Sequence, residues 1–278
     1  MYMERNSKDK FRICFVQTTS YKGGKEYNLE RAAEAIRAAA EGGASMVVFP
    51  EMYLTGYESG ARLLSVCEPA SGPSFEVMAG LAAENKVHLV YGYPESRDGC
   101  IFNSANLIDD KGVLTGTYSK ARLFEEEKKY FTAGSEYPVF DTVFGKTGMP
   151  ICYDLEFPEP ARRLAAKGAG LIICIAANMA PFHELHARMS LVRAVENSAF
   201  IAYCNFTGKD DIFEYTGRSG LYEPDGQLLS GTGRSPENGG LAEGLIFADV
   251  DCSKYRSDET VYDYISQISE EETAFYQS

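Results

Sequence analysis

Three side chains, far apart in the sequence, together carry a complete set of groups for acyl transfer: Glu51, Lys120 and Cys152. Each follows an apolar or β-branched run. Glu51 comes after Met-Val-Val-Phe-Pro, Lys120 after Val-Leu-Thr-Gly-Thr-Tyr-Ser, and Cys152 after Gly-Met-Pro-Ile. Strand ends are where α/β folds expose functional groups. A thiol becomes a nucleophile once deprotonated, a carboxylate can take its proton and later that of water, and an ammonium can hold the negative oxygen of a tetrahedral intermediate. Singly, none of the three demands a function. Cysteine is among the most buried residue types, and a glutamate or lysine after a strand is ordinarily solvated.

The surroundings of Cys152 add to its case. Pro158 and Glu159 open an expected helix just beyond it, so the thiol sits on a sharp turn between a strand and a helix N-terminus. Outward-pointing N–H groups at such a turn favour an anion, which predicts a lowered thiol pKa. The backbone N–H of Tyr153 is a natural second donor to an oxyanion.

The elements that must position these groups are legible in order. Phe11 to Gln17 predicts a strand, and Asn28 is placed to cap an Ala-rich helix from Leu29 to Glu41, ended by Gly42-Gly43. Ser45 to Phe49 then predicts a buried parallel strand, completing a β-α-β unit. A helix over Phe75 to Asn85 and strands over Val87–Tyr93, Ile101–Ile108 and Val113–Tyr118 follow, the last two joined by a turn at Asp109 to Gly112. Strands are expected at Tyr137–Phe144 and Gly148–Cys152, then a helix at Ala161–Lys167 and a strand at Leu171–Ala176. The stretches AAEGGASMVVFPE and LAAKGAGLIICIAAN repeat one order of helix, glycine break, apolar strand and polar residue, a weak internal repeat. A long helix over His183–Ser198, a strand over Phe200–Asn205, a hairpin over Gly220–Leu229 and a last strand over Leu245–Val250 complete the body. With no break in composition, residues 11–250 read as one domain. The tail, 251–278, carries Tyr255, Tyr262, Tyr264, Ile265, Ile268, Phe275 and Tyr276, and is expected to pack on the body or on another subunit.

Composition narrows the partners. A net charge of -13 argues against nucleic acid and against an anionic membrane surface. The N-terminus is polar, no stretch is apolar enough to span a bilayer, and the seven cysteines are odd in number and unpaired in spacing, so a cytoplasmic, reduced chain is expected. His183 and His186 lie one helical turn apart, but no further ligands stand at metal spacing, so surface or interface roles are expected and no metal. Gly145-Lys146-Thr147 lacks the earlier glycine of a phosphate loop, and no GxGxxG occurs, so no cofactor is called for.

Three segments, FPEMYLTGY, YSKARLFEEEKKYFTAG and GMPICYDLEFPEPAR, resemble the three signature regions of the nitrilase, or carbon–nitrogen hydrolase, superfamily, in the same order. A fourth, RAVENSAFIAYCNFTG followed by GRSGLYEPDGQLL, is similar to a further family block, so the likeness runs from about Phe11 to Val250. The resemblance implies an α-β-β-α sandwich with subunits pairing through helices, as a homodimer or higher homo-oligomer. It implies a Glu51-Lys120-Cys152 triad. It also implies a second glutamate, placed by alignment at Glu127 with Glu125 and Glu126 as competitors. Where such proteins have a histidine two residues after the lysine, this chain has Arg122.

Cys152-Tyr153-Asp154 is similar to the amidase-like branches rather than to the Cys-Trp-Glu of nitrilases, which implies a linear amide cleaved to acid and ammonia. N-carbamoyl compounds and nitriles are the alternatives within the class, and a catalytically idle interaction protein the alternative outside it. Branches acting on carboxylate-bearing substrates have an arginine four residues after the cysteine, whereas this chain has Glu156. Neutral or cationic amides are therefore expected, although the same carboxylate could instead cap the following helix. Tyr57, Asn178 and Met179 are expected to line the pocket.

Overall fold

The structure, a computed structural model, describes residues 9–22, 24–57, 60–182, 184–231, 243–255 and 262–277. The first sheet contains β1 (Lys10–Gln17), β2 (Met46–Val48), β3 (His88–Arg97), β4 (Cys100–Ile108) and β5 (Leu114–Ser119). The second contains β6 (Val139–Thr142), β7 (Gly145–Gly148), β8 (Leu171–Ala176) and β9 (Phe200–Asn205). A small ribbon of β10 (Thr207–Lys209) and β11 (Glu214–Thr216) follows, then β12 (Gly220–Tyr222) and β13 (Leu228–Gly231), which extend the second sheet. The last strand, β14 (Gly244–Asp251), crosses back to the first. The orders are β14-β1-β2-β3-β4-β5 and β13-β12-β9-β8-β7-β6.

The helices are α1 (Lys25–Glu41), the short α2 (Leu63–Val66), α3 (Pro73–Asn85), α4 (Pro158–Ala166), α5 (Leu185–Asn197) and α6 (Glu270–Gln277). Alternation along β1 shows how they layer. Cys14 and Val16 face one way, onto Ala32, Ile36 and Ala39 of α1 and Met78 and Leu81 of α3. Phe11, Ile13 and Phe15 face the other way, into a core shared with Ile172, Cys174 and Ile201 of the second sheet. Successive strand side chains point to opposite faces, so one strand serves both interfaces. Ala161 and Leu164 of α4 and Ala194 of α5 close the far side. The result is the expected α-β-β-α sandwich.

β2 runs parallel to β1 and β3, and β8 runs parallel to β7 and β9. The two repeated sequence stretches thus supply equivalent helix-to-parallel-strand units in the two sheets. Two local expectations need correcting. Asn28 lies inside the first turn of α1, and its amide donates to the carbonyls of Tyr21 (2.9 Å) and Leu54 (3.0 Å) instead of capping the helix. The strand expected over Gly148–Cys152 ends at Gly148, because Pro150 has no N–H to give a ladder. Only an isolated bridge from Ile151 to Ile175 carries the direction onward.

The tail packs partly on the body. Tyr255 is buried against Phe200, Ser198 donates to the Tyr262 carbonyl (2.8 Å), and Gln277 donates to the Ala166 carbonyl (2.8 Å). Tyr262 and Phe275 stay exposed. The expected helix start at His183 lies outside the described residues. Among the described residues no helix is long and apolar enough to cross a membrane.

Candidate active site

Glu51 follows β2 through Phe49 and Pro50 and is fully buried. Its turn presses against β3, where a Cβ on Gly92 would come within 2.4 Å of the Met52 nitrogen and 2.8 Å of the Glu51 Cα. Only glycine permits that approach. Lys120 directly follows β5, its backbone tied by Lys120 N–H to the Asn103 carbonyl (2.8 Å) and by Gly134 N–H to its own carbonyl (2.8 Å). Glu127 stands in a 3-10 turn, Glu125–Lys129, with its carboxylate folded back to accept from Phe124 N–H at 2.7 Å. Of the three consecutive glutamates, Glu127 is the buried one.

These groups converge. Lys120 Nζ lies 2.8 Å from Glu51 Oε1 and 2.8 Å from Glu127 Oε2. Asn103, on β4, donates its side-chain amide to Glu51 Oε1 (2.6 Å) and Glu127 Oε1 (2.9 Å). The second Glu51 oxygen is buried with no hydrogen-bond partner. Sequence reasoning passed over Asn103. The available signal was an asparagine inside an apolar strand, a setting where asparagine is disfavoured.

Cys152 opens a 3-10 turn, Cys152–Glu156, with a positive φ of 46°. A non-glycine residue held there is strained backbone of the kind found at functional turns. The first turn of such a helix leaves leading N–H groups without an internal acceptor, and Tyr153 is among them. The turn is pinned from three sides. Asp154, fully buried, accepts from Ile151 N–H (3.0 Å), Arg122 N–H (2.8 Å) and the Tyr118 hydroxyl (2.7 Å). Arg193, on α5, donates to the carbonyls of Leu155 and Glu156, both at 3.1 Å. The arginine of the RAVEN stretch therefore anchors the nucleophile turn. Arg122 stacks its guanidinium over Phe157, 5.0 Å from the ring centre.

The electrostatics revise one expectation. Burial, the largest influence, pushes the Cys152 thiol well above its usual pKa. The Glu51 charge adds to the rise, while Lys120 and a backbone hydrogen bond at Ala177 pull the other way. The thiol is therefore neutral at rest rather than a preformed thiolate: five residues lie between it and the first residue of α4, and two carboxylates share the one Lys120 ammonium nearby. Burial also opposes the Lys120 charge, yet Glu127 and Glu51 together hold its pKa well above the usual value. Glu127 resists its own burial through the Lys120 charge and stays below the ordinary carboxylate range. A neutral thiol needs a base, and the free Glu51 oxygen can serve as one.

Cys152 and Lys120 line one narrow cavity together with Tyr57, Tyr153, Glu156, Asn178, Met179 and His186. All five residues expected around the substrate are therefore at its wall. Asn178 does so with its amide already spent on the Phe182 carbonyl (3.1 Å) and Thr216 (3.3 Å), so it braces the wall. Glu156 does not cap α4; its Oε1 lies 3.2 Å from Nε2 of His186, whose Nδ1 lies 3.0 Å from the Tyr203 hydroxyl. His186, expected at a surface or an interface, is buried within the chain. Among the described residues no His, Cys, Asp and Glu cluster could hold a metal.

Residues 12–259 match the family described as carbon-nitrogen hydrolase. An (R)-stereoselective amidase from a Pseudomonas species is 31% identical over 255 residues, 91% of this chain and 90% of that protein. The 2-oxoglutaramate amidase of Bacillus subtilis is 30% identical over 244 residues, 87% and 90% of the two chains. Among solved structures, an amidase from Nesterenkonia sp. superposes with a TM-score of 0.83 at 26% identity, covering 99% of each chain. A mutant of that amidase carries the acetamide moiety of fluoroacetamide on its active-site cysteine. The chain belongs to the carbon–nitrogen hydrolase family, in the amidase-like branch of the nitrilase superfamily.

Proposed function

We propose that the protein hydrolyses a small linear amide to a carboxylic acid and ammonia through a thioester on Cys152. The observation that carries this reading is the unpartnered, buried Glu51 oxygen beside Lys120, in a site whose thiol rests protonated. Glu51 takes the thiol proton as sulfur attacks the amide carbonyl. Lys120 and the Tyr153 N–H hold the resulting oxyanion. The C–N bond breaks as Glu51 returns the proton to the leaving nitrogen, releasing ammonia. Water, deprotonated by Glu51, then attacks the thioester, and the acid departs with the thiol restored. Glu127 and Asn103 hold Lys120 and Glu51 in place. No cofactor enters the scheme.

The charge of the walls supports neutral or cationic amides. Glu156 lies in the inner cavity and Glu125, Glu126 and Glu127 line the adjoining space, against Lys120 as the one cation of the two linings. A substrate carboxylate would meet repulsion there. The name 2-oxoglutaramate amidase describes a relative whose amide also bears a carboxylate, so substrate charge is where this chain is expected to part from it.

The deciding measurement is ammonia release across short amides, carbamoyl compounds and nitriles, with Cys152→Ala as control. Turnover of an amide that vanishes in the folded variant supports the reading. Turnover retained in Cys152→Ala rejects the nucleophile, exclusive turnover of carbamoyl compounds or nitriles selects those alternatives, and no turnover at all selects the idle interaction protein. The same reading makes the partner a small molecule in the cytoplasm, with neither nucleic acid nor membrane involved. It also makes the protein a homo-oligomer joined across the α4, α5 and α6 face, where Leu191, Val192 and Phe275 are exposed. A monomeric mass in solution would reject that assembly.

A further inference from the structure

Beyond the reacting groups, the site opens into a second space that a short amide leaves unused. The inner cavity shares Tyr57, Phe124 and Met179 with an adjoining vestibule of about 310 Å³, also walled by Tyr130, Phe131 and Phe213. These six side chains are aromatic or thioether, and no basic residue lines the vestibule among the described residues.

The far wall is built rather than left to a loose loop. Phe213 comes from the turn between β10 and β11, where the Asp210 carboxylate accepts from the N–H groups of Ile212 (2.8 Å) and Phe213 (2.7 Å). Lys22 clamps the same turn from outside, pairing with Asp210 at 3.3 Å and Asp211 at 2.8 Å. The Phe213 ring meets Tyr57 edge to face, 6.0 Å between centres, and Tyr57 stands at the neck between the two spaces. A wall fixed in this way loses little freedom when a ligand packs on it, so more of the apolar contact appears as binding.

We propose that the vestibule is a subsite for a bulky apolar acyl substituent, and that the preferred substrates are primary amides of arylalkyl acids rather than acetamide-sized compounds. The proposal rests on the amidase reading, which places the substituent on the acyl side because ammonia carries none. Glu125 and Glu126 on the lining exclude the same skeleton when it ends in a carboxylate.

The test compares kcat/KM for propionamide, 3-phenylpropionamide and N-benzylpropionamide with the purified full chain. Burial of a phenyl group predicts a gain of about 30-fold for 3-phenylpropionamide over propionamide. In Phe213→Ala that ratio should fall about tenfold. The ratio is the readout, so any loss common to both substrates cancels. A ratio near one, or a ratio indifferent to Phe213→Ala, overturns the subsite while leaving the amidase reading standing. A gain with N-benzylpropionamide instead puts the aromatic group on the leaving side and overturns the acyl assignment. Turnover of none of the three rejects the amidase reading, and the subsite with it.

Discussion

The hydroxyl of Tyr118 donates to the Asp154 carboxylate at 2.7 Å, joining a residue two before Lys120 to a residue two after Cys152. The same carboxylate accepts from Ile151 N–H and Arg122 N–H, so it spans both loops that present the reacting groups. Asp154 entered the sequence reading only as a mark of the amidase-like branch. In the folded chain it sets the spacing of the two loops.

Asp154→Asn places an N–H₂ against at least one of those donors. The expected outcome is a kcat lowered by about 10- to 100-fold with KM little changed, since the pocket walls remain while the reacting atoms shift. Tyr118→Phe should fall between wild type and that variant. Steady-state kinetics on both variants checks this, and a rise in KM at constant kcat would contradict it.

Asp154 also predicts a pH signature in stability. Burial, against the pull of its hydrogen bonds, pushes its carboxyl up to about 6. The folded chain therefore holds this proton more tightly than the unfolded chain does. Its contribution is fully present below the unfolded value of about 4 and is lost as pH rises through about 6. The melting-temperature difference between wild type and Asp154→Asn, followed from pH 4 to pH 8, should move against wild type across that window and level off above it.

Glu51→Gln separates thiol acidity from catalysis. The Glu51 charge raises the thiol pKa, so its removal should lower the pH midpoint for Cys152 alkylation by iodoacetamide. Amide turnover should nevertheless drop by about 10²- to 10⁴-fold, because the base is gone. An alkylation midpoint that moves upward would contradict the electrostatic assignment.

Asn103 is the neutral bridge between two carboxylates, and its replacements should diverge. Asn103→Ala leaves both glutamates short of a donor and should cost about 1–3 kcal/mol of stability. Asn103→Asp sets a third carboxylate beside Glu51 and Glu127, which raises its pKa, so its extra destabilisation should grow as pH rises. Denaturant unfolding of both variants at two pH values distinguishes the cases.

Glu156→Gln tests charge selection in the inner cavity. The variant should lose about tenfold in kcat/KM for an aminoamide relative to a neutral amide of similar size, and should gain on an amide bearing a carboxylate. Competition assays measure both ratios directly. A wild-type preference for the acidic amide would reject the charge argument.

Much of this protein is determined locally and could be read from its sequence. Apolar periodicity set most strands and helices to within a few residues, because a buried parallel strand such as Leu171–Ala176 must be continuously apolar wherever it lies. Glu51, Lys120 and Cys152 were visible because each follows its own apolar or β-branched run, and Glu127 only through the resemblance to the family pattern, with Glu125 and Glu126 left as competitors. What the chain alone did not decide was contact between remote segments. The Asn103 bridge, the Asp154 clamp, the Glu156–His186 pair and the neck shared by the two cavities each join residues from different elements. The protonation of Cys152 belongs with them, since a helix start is local, whereas burial and an uncompensated carboxylate exist only once the sheets have packed.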